Sequence, residues 1–302
     1  MKKIYLLIAA TVALFALSCS EENKSEVDKS DVYLAFLREG NPDISKYWVQ
    51  VAAGIEAEAK ICDNANVKVF YTYGESDGDT KTQIAQIRNA WDSYGDRIKG
   101  VIFASCGLES DNILKDKILG NDNIKLVIVD SPLLEESPLQ NRFNNLVATD
   151  NYEAGRRLAI EKFSNIPADS ILIVTDNTGN AAKQRVDGFL SVKGVQVYEA
   201  TISDCTPRNI QQLYPKAKYI ISLNAYMSTA CVKNGLTKTN GFVLSCFDED
   251  DIVLEALEKG EISFTVAQNT MKMGQVAFDC ALKSSVKKNI YTGILIFDSV
   301  DK

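Results

Sequence analysis

The sequence predicts an α/β protein made of two doubly wound lobes, each a parallel sheet flanked by helices. Three observations support this prediction. Short apolar runs alternate with helical patterns from Asp31 onward, which is typical of a parallel sheet. The alternation starts again near residue 146, so that two sets of similar size follow each other. The 302 residues also suffice for two domains of about 150 residues each.

The first set of elements covers the N-terminal half of the chain. A helix is predicted over residues 46–60. A second helix begins at Asp79, which is suited to an N-cap and is followed by Ile84, Ile87 and Ala90 at helical spacing. The predicted strands of this set cover residues 32–37, 67–73, 100–104 and 124–129.

The second set repeats the pattern, and no change in composition marks a linker between the two sets. Helices are predicted over residues 152–163 and 271–283. The last apolar run is predicted as a single strand over residues 290–297. The other predicted strands cover residues 146–148, 171–175, 195–200, 219–223 and 242–246.

The N-terminus has the pattern of an export signal. Two lysines precede an apolar run over residues 4–17, which is shorter than the roughly 20 residues of a membrane span but suits a secretory signal. The run ends in Ala16-Leu17-Ser18-Cys19, which resembles a bacterial lipoprotein signal. The resemblance implies cleavage after residue 18, a lipid on Cys19 and a polar tether over residues 19–30. The alternative is an ordinary cleaved signal with an incidental cysteine.

Charge and composition exclude several classes of function. Lys and Arg total 33 against 40 Asp and Glu, a formal charge of -7 that disfavours binding to nucleic acid. Because the chain contains no histidine, it has no Ser-His-Asp triad, no Cys-His dyad and no His-ligated metal. Glycine-rich nucleotide motifs and the Gly-x-Ser-x-Gly elbow are also absent. The sequence therefore predicts no cofactor.

The remaining cysteines and the acidic clusters predict no metal site. The six cysteines after Cys19 form no Cys-x-x-Cys motif, and several lie in apolar runs where inert buried thiols are expected. Residues 77–79 and 248–251 are rich in acidic side chains, but neither stretch has the complete calcium loop. Acidic residues at the start of a helix explain both clusters.

Eight short motifs resemble, in order, those of the type I periplasmic sugar-binding proteins, the family of the ribose- and galactose-binding proteins. They extend over nearly the whole chain after residue 31. The motifs are Tyr47-Trp48 before Gly54-Ile55-Glu56-Ala57, Asp79-x-x-x-Gln83-Ile84-x-x-Ile87, Val129-Asp130-Ser131, Ala148-Thr149-Asp150-Asn151-Tyr152-x-Ala154-Gly155, Asn180-Ala181-Ala182-x-Gln184-Arg185-Val186-x-Gly188-Phe189, Asn224 with Met227, Phe247-Asp248, and Gln268-Asn269 before Gly274.

The resemblance implies two Rossmann-like lobes joined by three hinge crossings, near Asp150, Gln268 and Tyr291. The N-terminal lobe would comprise residues 31–149 and 269–291, and the C-terminal lobe residues 150–268 and 292–302. A ligand would lie between the lobes, where the carboxyl ends of the strands form the cleft.

The resemblance also implies a set of ligand-binding residues. Tyr47 and Trp48 would offer aromatic faces to a sugar, although core packing is the alternative for one of them. Asp130 and Asp248 would accept hydrogen bonds from sugar hydroxyls. Polar side chains that would donate or bridge are Arg185, Asn224 and Gln268, with helix capping as the alternative for such strand-end residues. The candidate set is completed by Ser45, Ser131 and Cys205.

Some positions depart from the ribose-binding members of the family. Ser131 stands where those members carry an arginine, Ala225 replaces an acidic residue, and Ser45 lies in a stretched first loop where an asparagine is common. These departures argue against ribose and leave the sugar unnamed.

The leading hypothesis is a monomeric, non-catalytic, lipid-anchored receptor in the periplasm or on the cell surface. It would close around a monosaccharide and deliver it to an ABC permease, or signal to a membrane-bound sensor. An enzyme that uses Asp130 and Asp248 as paired carboxylates is the alternative from another class. The effector domain of a transcription repressor is excluded, because a signal peptide stands where its helix-turn-helix would be.

Overall fold

In the computed structural model, which describes residues 30–39, 46–63, 65–72, 78–176, 180–283 and 288–299, the chain forms two six-stranded sheets. The first sheet has the strand order β11-β5-β4-β3-β1-β2, and its strand pairs are all parallel. Its strands are β1 (Val32–Glu39), β2 (Asn66–Thr72), β3 (Ile98–Phe103), β4 (Lys125–Asp130), β5 (Asn145–Ala148) and β11 (Lys288–Tyr291).

The second sheet repeats this arrangement with the order β12-β10-β9-β8-β6-β7. Its pairs are parallel except that β12 runs antiparallel to β10. Its strands are β6 (Ile171–Thr175), β7 (Gln196–Glu199), β8 (Tyr219–Ser222), β9 (Val243–Phe247), β10 (Phe264–Gln268) and β12 (Ile294–Asp298). The predicted fold class, two parallel-dominated sheets flanked by helices, is confirmed.

Helices cover both faces of each sheet, which is why the strands are apolar on both sides. In β1, Tyr33 and Ala35 pack on one face, while Leu34 and Phe36 pack on the other. We call the first sheet with α1 (Tyr47–Ile61), α2 (Thr80–Tyr94), α3 (Leu108–Ile118) and α9 (Thr270–Leu282) the first lobe. The second lobe holds the second sheet with α4 (Asn151–Phe163), α5 (Asn180–Leu190), α6 (Pro207–Leu213), α7 (Ala225–Lys233) and α8 (Asp251–Glu258).

The chain passes between the sheets three times, after Ala148, after Gln268 and after Tyr291. The crossings are hydrogen-bonded to one another. The Thr292 N–H donates to the Ala148 carbonyl at 3.1 Å, and the Asn269 N–H donates to the Gly293 carbonyl at 3.5 Å. The three connections therefore lie side by side, as a hinge requires.

Two elements near these crossings differ from the sequence prediction. The apolar run over residues 290–297 forms two strands in different sheets, because the chain turns between them at Gly293, whose φ is 76°. Glycine adopts this left-handed conformation without a Cβ penalty. Strand β10 was not predicted, and only its end at Gln268 was identified as a crossing.

Each lobe contains a pair of helices that approach through glycine. A Cβ on Gly274 of α9 would lie 2.0 Å from the Val51 carbonyl oxygen of α1. A Cβ on Gly155 of α4 would lie 1.9 Å from the Arg185 carbonyl oxygen of α5. These contacts fix α1 and α5, the helices that follow the first strand of each lobe. Over the described parts of the chain, no helix combines the length and hydropathy of a membrane span.

Candidate ligand-binding cleft

Two aspartates at the ends of equivalent strands mark the site. Asp130 ends β4 and Asp248 directly follows β9, and these strands occupy the same place in the two sheets. Their φ values are 74° and 70°, in the left-handed region that few non-glycine residues adopt but that aspartate tolerates better than most. Each carboxylate is thus presented at the carboxyl end of a parallel strand, the usual ligand side of such sheets.

In the first lobe, Asp130 accepts hydrogen bonds from neutral donors. The Tyr47 hydroxyl donates to Asp130 Oδ1 at 2.5 Å, and the Ser131 hydroxyl donates to Oδ2 at 2.7 Å. Burial raises the pKa of Tyr47 well above its usual value, and the charge of Asp130 raises it further. Tyr47 therefore remains a neutral donor at physiological pH.

In the second lobe, a buried arginine stands beside the other carboxylate. Arg185 is only 3% exposed, and its Nε donates to Asn151 Oδ1 at 2.8 Å. Its Nη1 donates to the Leu223 carbonyl at 2.8 Å and lies 3.9 Å from Asp248 Oδ2. The guanidinium also lies 3.8 Å from the centre of the Phe247 ring, a cation–π contact. Burial lowers the pKa of Arg185, and the charge of Asp248 opposes that shift.

Asp248 has further donors on its own side of the cleft. Gln268 Nε2 donates to Oδ1 at 3.0 Å, and the backbone N–H of Ala225, at the start of α7, also donates to the carboxylate. The N-terminus of a helix favours such a negative group. Burial nevertheless raises the pKa of Asp248, although Arg185 and Gln268 act to lower it.

The two sides are close enough to interact electrostatically. The charges of Asp248 and Arg185 both influence the pKa of Tyr47, and the charge of Asp130 influences that of Asp248. The structure therefore brings together six of the residues named from the sequence. They are Tyr47, Asp130, Ser131, Arg185, Asp248 and Gln268. Their roles in binding a ligand remain a prediction.

Asn224 lies at the edge of this group. Its Oδ1 accepts from the Met227 N–H at 2.8 Å, so that it caps α7, and its Nδ2 donates to Asp176 Oδ1 at 3.0 Å. Helix capping, the alternative stated from the sequence, thus describes much of its bonding. Asn224 is next to Ala225, whose N–H reaches Asp248.

The structure places two other candidates in the core. Trp48 is 2% exposed and belongs to the apolar cluster between α1, α9 and the first sheet. Adjacent residues of a helix point about 100° apart, so that Trp48 turns inward where Tyr47 turns toward the cleft. Cys205 is 0% exposed in the core of the second lobe, with its thiol directed at the Thr201 carbonyl and hydrogen-bonded to Cys231. The prediction that Cys205 binds the ligand is therefore corrected: Cys205 is a buried thiol of the core.

The remaining sequence predictions fall outside the described residues or concern metals. Ser45, Cys19, the signal over 1–18 and most of the tether over 19–30 lie outside the described residues. Among those described, no group of three side chains could hold a metal ion. In the acidic stretch 248–251, Asp250 caps α8 and Asp251 contacts Lys46.

Four residues of the site were not identified from the sequence. Asn151 and Phe247 were part of the quoted motifs but were given no role, although they hold Arg185 in place. Gln50 and Glu249 form a hydrogen bond across the cleft. No local pattern marks these two, because their contact depends on how the lobes meet.

A family model described as "Periplasmic binding protein domain" matches residues 40–288, which is well over half of the chain. This chain belongs to the periplasmic binding protein family. The resemblance stated from the sequence is thereby confirmed. No curated protein matches the chain.

Solved structures share the fold at low identity. A sugar-binding protein of a sugar ABC transporter from Bacillus halodurans is 17% identical, with a TM-score of 0.71 over 90% of this chain and 98% of that one. The glucose-galactose binding protein GanP from Geobacillus stearothermophilus is 19% identical, with a TM-score of 0.66 over 90% and 98%. One chain of a mutant XylFII–LytSN complex is 18% identical, with a TM-score of 0.66 over 89% of this chain and 98% of that one.

Proposed function

We propose that this chain is a lipid-anchored extracytoplasmic receptor that binds a monosaccharide between its lobes, closes around it and delivers it to an ABC transporter. One observation carries the proposal. Asp130 from one lobe and Asp248, Arg185 and Gln268 from the other or from its crossing converge on one cleft. Membership in the periplasmic binding protein family implies the extracytoplasmic location.

The chemistry of these groups suits a neutral, hydroxyl-rich ligand. Two carboxylates accept hydrogen bonds from hydroxyls, and a guanidinium and an amide donate to them. Hydrogen bonds with a charged partner are about twice as strong as neutral ones, without any need for a charged ligand. Micromolar binding requires only about -8 kcal/mol, which several such bonds in a desolvated cleft can supply. The names of the relatives from Bacillus halodurans and Geobacillus stearothermophilus point to the same class of ligand.

Binding is favoured over catalysis by paired carboxylates. Tyr47 and Ser131 both donate to Asp130, and Arg185, Gln268 and the Ala225 N–H surround Asp248. In these contacts both carboxylates act as hydrogen-bond acceptors, which is the role that binding of hydroxyl groups requires. The relatives are likewise described as binding proteins.

The lipid anchor rests on Cys19 at the end of the apolar N-terminal run. In a bacterial host supplied with a fatty-acid analogue, the wild-type chain should become labelled and the Cys19→Ser variant should not. Undiminished labelling of that variant would exclude Cys19 as the lipid site and leave an ordinary signal peptide.

Signalling to a membrane-bound sensor is the second candidate function. It is favoured by the likeness to a chain of the XylFII–LytSN complex, in which two proteins are associated. In either case the partner would recognise the closed form, because it binds that state with higher affinity than the open form. Crosslinking in the native membrane with and without sugar would identify either a permease or a sensor as the partner.

Mass spectrometry of ligand released from the purified mature protein tests the sugar proposal, together with thermal-shift measurements on a monosaccharide panel. A bound sugar raises the melting temperature, since it stabilises by RT ln(1 + [L]/Kd). Asp248→Asn should reduce that rise, whereas Asp169→Asn, which alters an exposed pair with Lys216, should not. If a sugar raises the melting temperatures of both variants equally, the ligand binds elsewhere.

A further inference from the structure

Four side chains bridge the lobes beside the candidate sugar site. Lys46 and Gln50, at the start of α1, belong to the first lobe, and Glu249 and Asp251, at the start of α8, belong to the second. The Lys46 ammonium forms an ion pair with the Asp251 carboxylate, and the Gln50 amide donates a hydrogen bond to Glu249. We call these four residues the lobe latch.

The latch is also tied to the hinge. The Thr270 hydroxyl, at the first residue of α9 after the second crossing, donates to Gln50 Oε1 at 2.5 Å. The Gln50 side chain therefore has its acceptor oxygen fixed by the first lobe and its donor nitrogen directed at Glu249. This contact can form only where the two lobes meet, so that it reports directly on closure.

The two carboxylates of the latch differ in their surroundings. The Asp251 side chain is 69% exposed, and water screens its pair with Lys46. Glu249 is half-buried, and burial followed by the adjacent charge of Asp248 raises its pKa from 4.5 to about 7. The hydrogen bond from Gln50 and the charge of Lys46 oppose this shift but do not cancel it. The next two residues along the chain, Asp250 and Asp251, are also acidic. Neither therefore supplies a positive charge that would lower the pKa of Glu249.

We propose that closure of the lobe latch takes up one proton on Glu249, so that acidification favours the closed state and tightens ligand binding. The inference rests on the proposed function, since it concerns regulation of the same cleft. The carboxylate gains a proton from hydronium or the buffer acid when the lobes close and returns it when they open. No other covalent bond changes.

The direction follows from linkage. When the lobes separate, Glu249 meets water and loses its contact with Gln50, so that its pKa falls back toward 4.5. The closed form then binds more protons than the open form at every pH between the two values. Closure is therefore favoured as the pH falls toward the open-state pKa, and that advantage is lost as the pH rises through the closed-state pKa.

Titration calorimetry of the full mature chain tests this with D-glucose, D-galactose, L-arabinose, D-xylose and D-fucose as probes. For a sugar that binds, the affinity of the wild type should rise about tenfold from about pH 8 to about pH 5.5. Repeating the titration near neutral pH in buffers with different ionisation enthalpies should show net proton uptake. Glu249→Gln, which mimics the protonated side chain, should show a flatter profile that stays near the tighter value.

A matched control separates Glu249 from the general effect of pH on acidic residues. Glu255→Gln on α8 removes an exposed carboxylate that pairs with Lys259, and it should keep the wild-type profile. Burial also raises the pKa of Asp248. Its contribution to the pH dependence of binding is present in the wild type and in both variants. If the wild type and Glu249→Gln have parallel profiles with a bound sugar, the latch proposal is wrong.

Small-angle scattering without sugar distinguishes failure of the latch from failure of the sugar proposal. The ligand-free wild type should be more compact at about pH 5.5 than at about pH 8, whereas Glu249→Gln should change less between them. If this difference appears but none of the five sugars binds, the monosaccharide proposal fails and the latch stands. If neither scattering nor calorimetry distinguishes Glu249→Gln from the wild type, the latch is overturned.

Discussion

The two lobes place different residues at equivalent positions of one packing arrangement. Val51 in α1 and Arg185 in α5 each precede a helix glycine by three residues, and each presents its carbonyl oxygen to the glycine of the facing helix. Val51 is part of the apolar core, whereas Arg185 is a buried cation beside Asp248. The backbone arrangement is repeated, but the chemistry is not.

The strand-end carboxylates show the same contrast. Asp130 is paired with two hydroxyls, whereas Asp248 faces a guanidinium, an amide and a helix N-terminus. The second lobe thus carries the compensated charge pair, and the first lobe adds one carboxylate held by neutral groups.

The largest effect is expected for Trp48→Ala, which gives α1 the residue that α5 carries at the equivalent position, Ala182. Because Trp48 is part of the first-lobe core, the free energy of unfolding should fall by about 3–5 kcal/mol, the usual cost of truncating a buried aromatic residue. Urea unfolding measures this. The other tryptophan, Trp91, is only partly buried, and Trp91→Ala should cost less. A large loss of sugar affinity with little loss of stability would instead place Trp48 at the ligand.

Arg185→Met removes the cation that distinguishes the second lobe. The free energy of unfolding should fall by about 3 kcal/mol, at the lower end of the range for breaking a buried pair. The lower end applies because the Asp248 side chain is 20% exposed and water can partly solvate it. Sugar binding should be lost as well. The control is Arg157→Met in α4, where the arginine pairs with Glu161 on the surface. This variant should lower the free energy of unfolding by about 0.5 kcal/mol or less. Equal destabilisation by the two variants would show that the charge pair contributes nothing specific.

Much of the fold could be predicted from local patterns. Asp79, predicted as a helix N-cap, accepts hydrogen bonds from the N–H groups of Lys81 and Thr82. The buried strands were found because both faces of each sheet are covered. The turn at Gly293 was missed, since the apolar pattern continues through it and only the pairing with two different sheets reveals the break.

The site was predictable only in part, for similar reasons. Polar residues at the end of an apolar strand or directly after it, such as Asp130 and Asp248, mark the cleft edge in the sequence itself. Which of two adjacent aromatic residues faces the cleft depends on the rotation of α1, which the motif Tyr47-Trp48 does not specify. The contact of Gln50 with Glu249 depends on the approach of two lobes, and no segment of the sequence encodes it alone.

Asp130→Asn and Asp248→Asn test whether the two carboxylates act in one cleft. Each should weaken sugar binding by about 1.5–3 kcal/mol, the range for hydrogen bonds to charged groups. Only Asp248→Asn should also lower the free energy of unfolding, because it leaves Arg185 without its carboxylate. In calorimetry the double variant should lose less binding free energy than the sum of the losses of the two single variants, since either change already disfavours closure. Strict additivity would argue that the two aspartates do not share one ligand.

The smallest effects are expected for the side chains that support each carboxylate, and they provide the finest test of the contrast between the lobes. Ser131 is exposed, so that water can replace its hydroxyl in Ser131→Ala, and the affinity should change by about 0.5 kcal/mol or less. Gln268 is buried and donates to Asp248 at 3.0 Å. In Gln268→Met no water can take over that bond, and the affinity should fall by about 1–1.5 kcal/mol. Calorimetry with one sugar measures both variants, and urea unfolding corrects for any change in stability. A larger loss for Ser131→Ala than for Gln268→Met would reverse the comparison and assign the dominant polar contacts to the first lobe.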